Sequence, residues 1–407
     1  MVSYCKEWSK KKLGEFIRVQ RGASPRPIEA YLTLSSNGVN WIKIGDAPRD
    51  SKYITQTKER ITLQGSKYSV HVNKGEFILS NSMSFGRPYI LSLNGCIHDG
   101  WLRLYDFLDE ADTTFLYYLL SSKNVQQQYV SFASGSGVQN LNKKLVQDVE
   151  VYIPDLKEQQ AIADTLTTFD NYIADLNALI EKNKAVREGV LEDLMSGKTR
   201  LDGFSGEWKE VGFEQVIKPK ARIGWQGLKK DEYLRNGYSY LICGTDFENG
   251  TISFENIWYV SKERYDMDPN IQVLYGDVLV TKDGTIGKVA LVPQIDKPAV
   301  LNSGVFVFKT SKEVLREFLY RVLISSTFKN FISLLSAGST IKHLYQKDLK
   351  NFRFSIPVDL KEQQAIANTL TAMDDEIRDL EAKRDKMIDI RDGAMDDLLT
   401  GRVRLPL

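Results

Sequence analysis

Apolar residues recur at Ile162, Leu166, Phe169, Ile173, Leu176 and Ile180, and then at Val190 and Leu194, in alternating steps of four and three. The same frame returns 204 positions later at Ile366, Leu370, Met373, Ile377, Leu380, Met387, Ala394 and Leu398. A repeat of 3.5 residues lines apolar side chains along one seam of an α-helix, and such seams wrap a partner helix by seating knobs into holes. Two helices of about 40 residues are therefore predicted, each a rod of roughly 60 Å. Polar residues interrupt both seams, Asn183 and Arg187 in one copy and Arg384 and Arg391 in the other. Polar seam positions cost stability and fix register and orientation. Pro154 and Pro357 stand before the helices and Gly197 and Gly401 after them, as start and stop signals require. Such rods need a partner to be stable. The simplest partner for each is the other, and a twofold relation between the repeats makes them antiparallel and places Leu405 near Glu7.

The repeat is exact enough to exclude chance. "LKEQQAIADTL" from Leu156 and "LKEQQAIANTL" from Leu360 differ at one position, and Leu156–Leu201 aligns with Leu360–Leu405 without a gap at 24 identities in 46 positions. Between the helices lie two segments that repeat each other more faintly. Both open on a Glu-Trp pair, Glu7-Trp8 and Glu207-Trp208. Both carry a strand-like run, a Gly-acid pair leading into another strand and a Gly-bearing turn, then a helical stretch, a "GS" loop and a strand ending in "IP". Short β-branched and aromatic runs punctuated by Gly, Asn and Asp, with one or two helices, read as α+β. The predicted organisation is a globule over 1–153, a helix over 154–201, a second globule over 202–356 and a second helix over 357–407.

Charge changes the picture once it is divided by segment. Residues 155–195 hold 9 acidic and 4 basic side chains and residues 359–399 hold 12 and 6, or −5 and −6; the net charge of +1 then leaves +12 for the remainder. Basic surface on the globules is what a phosphate backbone attracts. No run of about 18 apolar residues is present to span a bilayer, and the first residues lack the apolar core of a signal peptide, so a cytoplasmic protein is expected. Cys5, Cys96 and Cys243 stand apart, as do His71, His98 and His343, so neither a disulfide framework nor a metal site is expected. Catalytic motifs fail on spacing: "GTIGK" from Gly284 is too short for a phosphate-cradling loop. No "NPPY" or "DPPY" is present to hold a flipped base, and Asp50-Ser51-Lys52 lacks an upstream carboxylate for a metal nuclease.

The stretches Gly135–Leu166 and Gly338–Leu370, each running from the "GS" loop through a proline into the "EQQ" helix start, resemble the specificity subunit of type I restriction-modification systems. The resemblance covers the whole chain. It implies two pseudo-symmetric α+β target recognition domains separated by two long antiparallel coiled-coil helices. It further implies a non-catalytic protein, without cofactors of its own, that binds double-stranded DNA at a bipartite asymmetric target. Partner modification (methyltransferase) subunits and restriction (ATP-dependent translocase and endonuclease) subunits would dock on the helices and supply the chemistry. The recognition subunit of a related two-component restriction system is barely distinguishable, and a coiled-coil scaffold binding proteins is the rival of another class.

Base sequence is read by donors and acceptors reaching base edges, whereas Lys and Arg hold phosphates. Three loops per globule suit this. In the first, Arg21–Pro27, Ser80–Pro88 and Gly135–Lys144 offer Arg21, Arg26, Arg87, Gln139, Asn140 and Lys143. In the second, Lys220–Gly227, Thr281–Lys288 and Gly338–Lys347 offer Arg222, Gln226, Lys282, Lys288, Lys342, His343 and Gln346. Each loop taken alone also fits a Gly-rich hairpin with solvated polar residues, but such loops recur at corresponding places. Trp225 fits a stacking role against DNA and, more simply, a core position.

Overall fold

The computed structural model describes residues 7–48, 51–81, 86–136, 140–224, 227–337 and 343–406. They form two compact units, Met1–Asn177 with Ala382–Leu407, and Ala178–Glu381. Both are α+β.

In the first unit a five-stranded sheet runs in the order Arg18–Arg21, Trp101–Tyr105, Phe77–Ser80, Pro88–Leu91 and Tyr53–Ile54. Successive residues of a strand point to opposite faces. Phe77, Leu79, Ile90, Leu102 and Leu104 thus enter a core shared with the helix Thr113–Ser121, while Ile78, Tyr89, Leu91 and Trp101 enter a second core. That second core is closed by Ile42, Val72 and Ile97 of another five-stranded sheet. The second unit repeats the plan with two four-stranded sheets. Val278, Val280, Phe306 and Phe308 face the helix Arg316–Ile324, and Leu279, Val305 and Val307 face the other sheet. Because both faces of the central strands are covered, these read as unbroken apolar runs rather than as alternating ones.

The repeated "EQQ" finds its purpose at the start of each long helix. The helices span Leu156–Met195 and Leu360–Leu398. Asp155 caps the first by accepting from the Glu158 backbone N–H at 2.9 Å, and Asp359 caps the second by accepting from that of Lys361 at 2.8 Å. Gln159 is fully buried; its side-chain oxygen accepts from the Asp112 N–H at 2.9 Å, and its amide donates to the Glu110 and Pro154 carbonyls at 2.9 and 3.0 Å. Gln363 does the same with the Leu315 N–H and the Glu313 and Pro357 carbonyls, at 2.9, 2.8 and 2.8 Å. The preceding glutamates are equally buried. Glu362 receives Arg200 through two bonds, of 2.6 and 2.8 Å, and the Trp208 indole N–H at 3.2 Å. Glu158 receives Arg404 through two bonds, and Arg404 also reaches Glu7 at 2.7 Å. A buried carboxylate is tolerated because a bidentate guanidinium satisfies it.

The apolar seam is shared rather than purely helix-to-helix. Ile162, Leu166 and Phe169 lie in one core with Leu398, Leu399, Ala394 and Met395 and with the first globule's helix; Ile366, Leu370 and Met373 lie likewise with Leu191, Leu194, Val190 and the second globule's helix. Farther along, Leu176 and Ile377 remain buried and Ile173 and Leu380 half-buried. Two of the four polar interruptions are partnered across the helices, and Arg384 instead meets its neighbour Asp385. Within the first unit Arg391 meets Asp170 at 3.0 Å, and within the second Arg187 meets Asp374 at 2.8 Å. In each unit an early part of one helix faces a late part of the other, so the segments run antiparallel. The same aspartates hold the globules: Tyr118 donates to Asp170 at 2.6 Å, and Arg321 donates to Asp374 at 2.5 Å.

The Arg404–Glu7 contact brings the end of the chain to the start of its first globule, as the repeat symmetry requires. A circular permutant opened between Leu201 and Glu207, with the old termini joined by a short linker, should therefore fold and retain the parent's circular dichroism and cooperative melting. Aggregation across several linker lengths would count against a closed joint at Arg404.

Candidate nucleic-acid interface

The candidate loops leave the ends of the central strands, and corresponding hydrogen bonds shape them in both units. In the first, Ser80 donates its N–H to the Arg87 carbonyl at 3.2 Å, accepts the Arg87 N–H on its hydroxyl at 3.2 Å and accepts the Gly86 N–H on its carbonyl at 2.9 Å. In the second, Thr281 makes the same bonds to Lys288 and Gly287, each 2.9 Å. Gly86 sits at φ +73°, and a Cβ there would lie 2.6 Å from the Tyr129 ring, so the turn admits no side chain. Arg87 and Lys288 thereby occupy equivalent positions on different residue types.

One residue past that strand, the backbone welds the loops together. Asn81 donates its N–H to the Gly100 carbonyl at 3.0 Å and accepts the Leu141 N–H at 3.0 Å; Lys282 donates to the Gly304 carbonyl at 2.9 Å and accepts the Leu344 N–H at 2.8 Å. The Asn81 side-chain amide also donates to the Asp99 carbonyl at 3.0 Å. Asp99 gathers the remaining loop: Ser24 donates to its carboxylate at 2.8 Å, the Arg26 guanidinium lies 3.4 Å away and the Arg21 Nε donates to its carbonyl at 3.2 Å. Burial alone would raise the Asp99 carboxyl, but the bond from Ser24 and the charges of His98 and Arg26 hold it below the usual range.

In the first unit, therefore, Arg21 and Arg26 are joined through Asp99 and Asn81 to the exposed Asn140 and Lys143, which flank Leu141. Arg87 is half-buried, its guanidinium 5.2 Å over the Tyr89 ring. In the second unit Lys282 is half-buried with its ammonium 5.4 Å over Phe306, and Lys288, His343 and Gln346 are exposed around it. Arg222 departs from expectation. It is 2% exposed and its Nε donates to the Leu301 carbonyl at 3.1 Å, so the guanidinium holds the loop from inside and does not face a ligand. Desolvation is the reason its pKa falls below the ordinary arginine value. Gln139, Gln226 and Lys342, with Trp225, lie outside the described residues.

The braces Asn81 and Asp99 escape a reading by residue type, because Asn81 works through its backbone and through an amide turned to the Asp99 carbonyl, and Asp99 is an acid. Their signal is positional: Asn81 follows the strand end as Lys282 does, yet only folding shows that its carbonyl is the shared acceptor. Beside the first set of loops lies a cleft of about 780 Å³ lined by Ser24, Arg26, Trp41, Lys43, His98 and Asp99. The surface offers cations, amides and hydroxyls suited to phosphates and base edges. Burial pushes the Cys96 and Cys243 thiols up to about 11. Among the described residues, no group of three or more His, Cys, Asp or Glu is placed to hold a metal ion, and no helix is long and apolar enough to cross a membrane.

Comparison with known proteins follows the same division. The family described as type I restriction modification DNA specificity domain matches twice, at residues 5–186 and 207–389. The type I restriction enzyme MjaVIII specificity subunit of Methanocaldococcus jannaschii is 26% identical over 420 aligned residues, which cover 98% of this chain and 93% of that protein. Among solved structures, a chain from work on complex assembly and conformational transition of the type I R-M system aligns with a TM-score of 0.65 at 16% identity, over 99% of this chain and 100% of that one. The crystal structure of the type I restriction-modification S subunit from M. genitalium aligns with a TM-score of 0.58 at 18% identity, over 98% and 99% of the two chains. These structural likenesses show the fold.

Proposed function

Since this chain belongs to the type I restriction-modification specificity family, whose members are non-catalytic DNA-recognition components, we propose that it reads a split, asymmetric double-stranded target, one half per unit. Residues 1–153 and 202–356 are assigned the reading role. Residues 154–201 and 357–407 are assigned the roles of spacer and of docking surface for methyltransferase and restriction subunits, which supply methyl transfer and cleavage in the cytoplasm. The observation that carries this reading is the recurrence of one loop scaffold with different side chains on it. Ser80, Gly86 and Leu141 recur as Thr281, Gly287 and Leu344, while Arg87, Asn140 and Lys143 are replaced by Lys288, His343 and Gln346. A common frame with changed donors and acceptors suits two different half-sites, since base edges are distinguished by donor and acceptor pattern.

The test is an exchange. Residues 10–150 are replaced by the corresponding globule of another family member, the subunit is assembled with its modification partners, and methylated sites are mapped. One half of the target should change and the other persist. A change in both halves, or in neither, would remove the assignment of one reader to each half-site.

A further inference from the structure

The second unit's cationic loops contain an acid that phosphate binding does not explain. Asp283 lies between Lys282 and the turn that ends at Lys288, and its backbone bridges that of His343 in the adjoining loop. Its Oδ1 is 2.5 Å from His343 Nδ1, and the two side chains are 36% and 54% exposed. Next to phosphates an exposed carboxylate is repelled, so its presence there weakens DNA binding unless it meets a donor. In the major groove the donors are exocyclic amino groups, and carboxylates accept from cytosine N4 in particular.

Asp99 provides the contrast. It receives Ser24 on Oδ1, with His98 Nε2 also 3.0 Å from that oxygen, and has Arg26 beside Oδ2, so both of its oxygens meet partners within the protein. Asp283 is held at one oxygen by a ring that fixes its direction, while the other oxygen, beside Gly304, has no hydrogen-bond partner among the described residues and the side chain is partly exposed.

We propose that Asp283, oriented by His343, is a specificity-determining residue that accepts a hydrogen bond from an exocyclic base amino group in the half-site read by the second unit. The inference rests on the DNA-reading function proposed above. Its sign is distinctive: one acid both selects a base and suppresses binding everywhere else. Removing it should relax one base pair and tighten non-specific binding together.

The test uses the full chain assembled with its modification subunits, selection from DNA randomised in both half-sites, and titration with a random-sequence duplex. Asp283→Ala should lower the preference at one base pair of one half-site by about ten- to hundredfold, the discrimination expected of a direct base contact. It should also raise affinity for random duplex and leave the other half-site unchanged. Asp283→Asn, which keeps the shape and one acceptor, should show a smaller loss at the same pair. His343→Ala should loosen that pair without shifting the preference elsewhere. The selected base, cytosine or adenine, names the amino group. If Asp283→Ala lowers specific and random binding alike, the residue is structural; if it raises both alike, the acid only repels phosphates; either result would overturn the proposal. A parent protein that selects no sequence would instead remove the DNA-reading function on which it rests.

Discussion

Gln363→Ala should lower the stability of the chain by about 3–6 kcal/mol and bring its first unfolding transition down by roughly 10 °C. Alanine removes a side chain that satisfies one N–H and two carbonyls, those of Leu315, Glu313 and Pro357, at a fully buried position. Each buried polar group left without a partner costs about 1–3 kcal/mol. Gln159→Ala should act with similar size, through Asp112, Glu110 and Pro154. Chemical denaturation followed by fluorescence of Trp8 and Trp208, which stand near the two joints, measures both. A loss below about 1 kcal/mol in either variant would mean that the glutamine is not the joint's fastener.

Affinity for random-sequence DNA should fall on the order of a thousandfold between 50 and 200 mM salt, as expected when about six phosphates are neutralised. The charge ledger is the reason: residues 155–195 and 359–399 carry −11 and the remaining residues, most of them in the globules, +12, so the globules are the basic part of the chain. Charge reversal at Arg21 and Lys143, both exposed in the first unit, should flatten the logarithmic salt slope by about two. A slope near zero for the parent protein would refute a phosphate-binding surface.

The helices and their faces were legible because a 3.5-residue period and its terminal Pro and Gly are local signals. The repeated "EQQ" was visible and its meaning was not. Gln159 and Gln363 bond to main chain about 50 positions away, and no side-chain pattern marks such partners. Arg187 and Arg391 were visible as breaks in the seam; that each meets an aspartate of the facing helix depends on an antiparallel register that only packing fixes. Arg222 was misjudged for a related reason. An arginine in a Gly-bearing loop is ordinarily solvated, but here the Leu301 carbonyl, 79 positions on, draws it inward.

Gln159 and Gln363 themselves bond to the globules through carbonyls and N–H groups, which are the same whatever residue supplies them. Asp112 in one globule corresponds to Leu315 in the other, and the glutamine is bonded equally well to both. That part of the socket is indifferent to side chains, so a globule whose backbone follows the same path, and which keeps the groups that meet the helix carboxylates and seam, could be exchanged by recombination within the helix-coding stretches. New target preferences could then arise by shuffling whole parts, leaving point substitution to tune the loops.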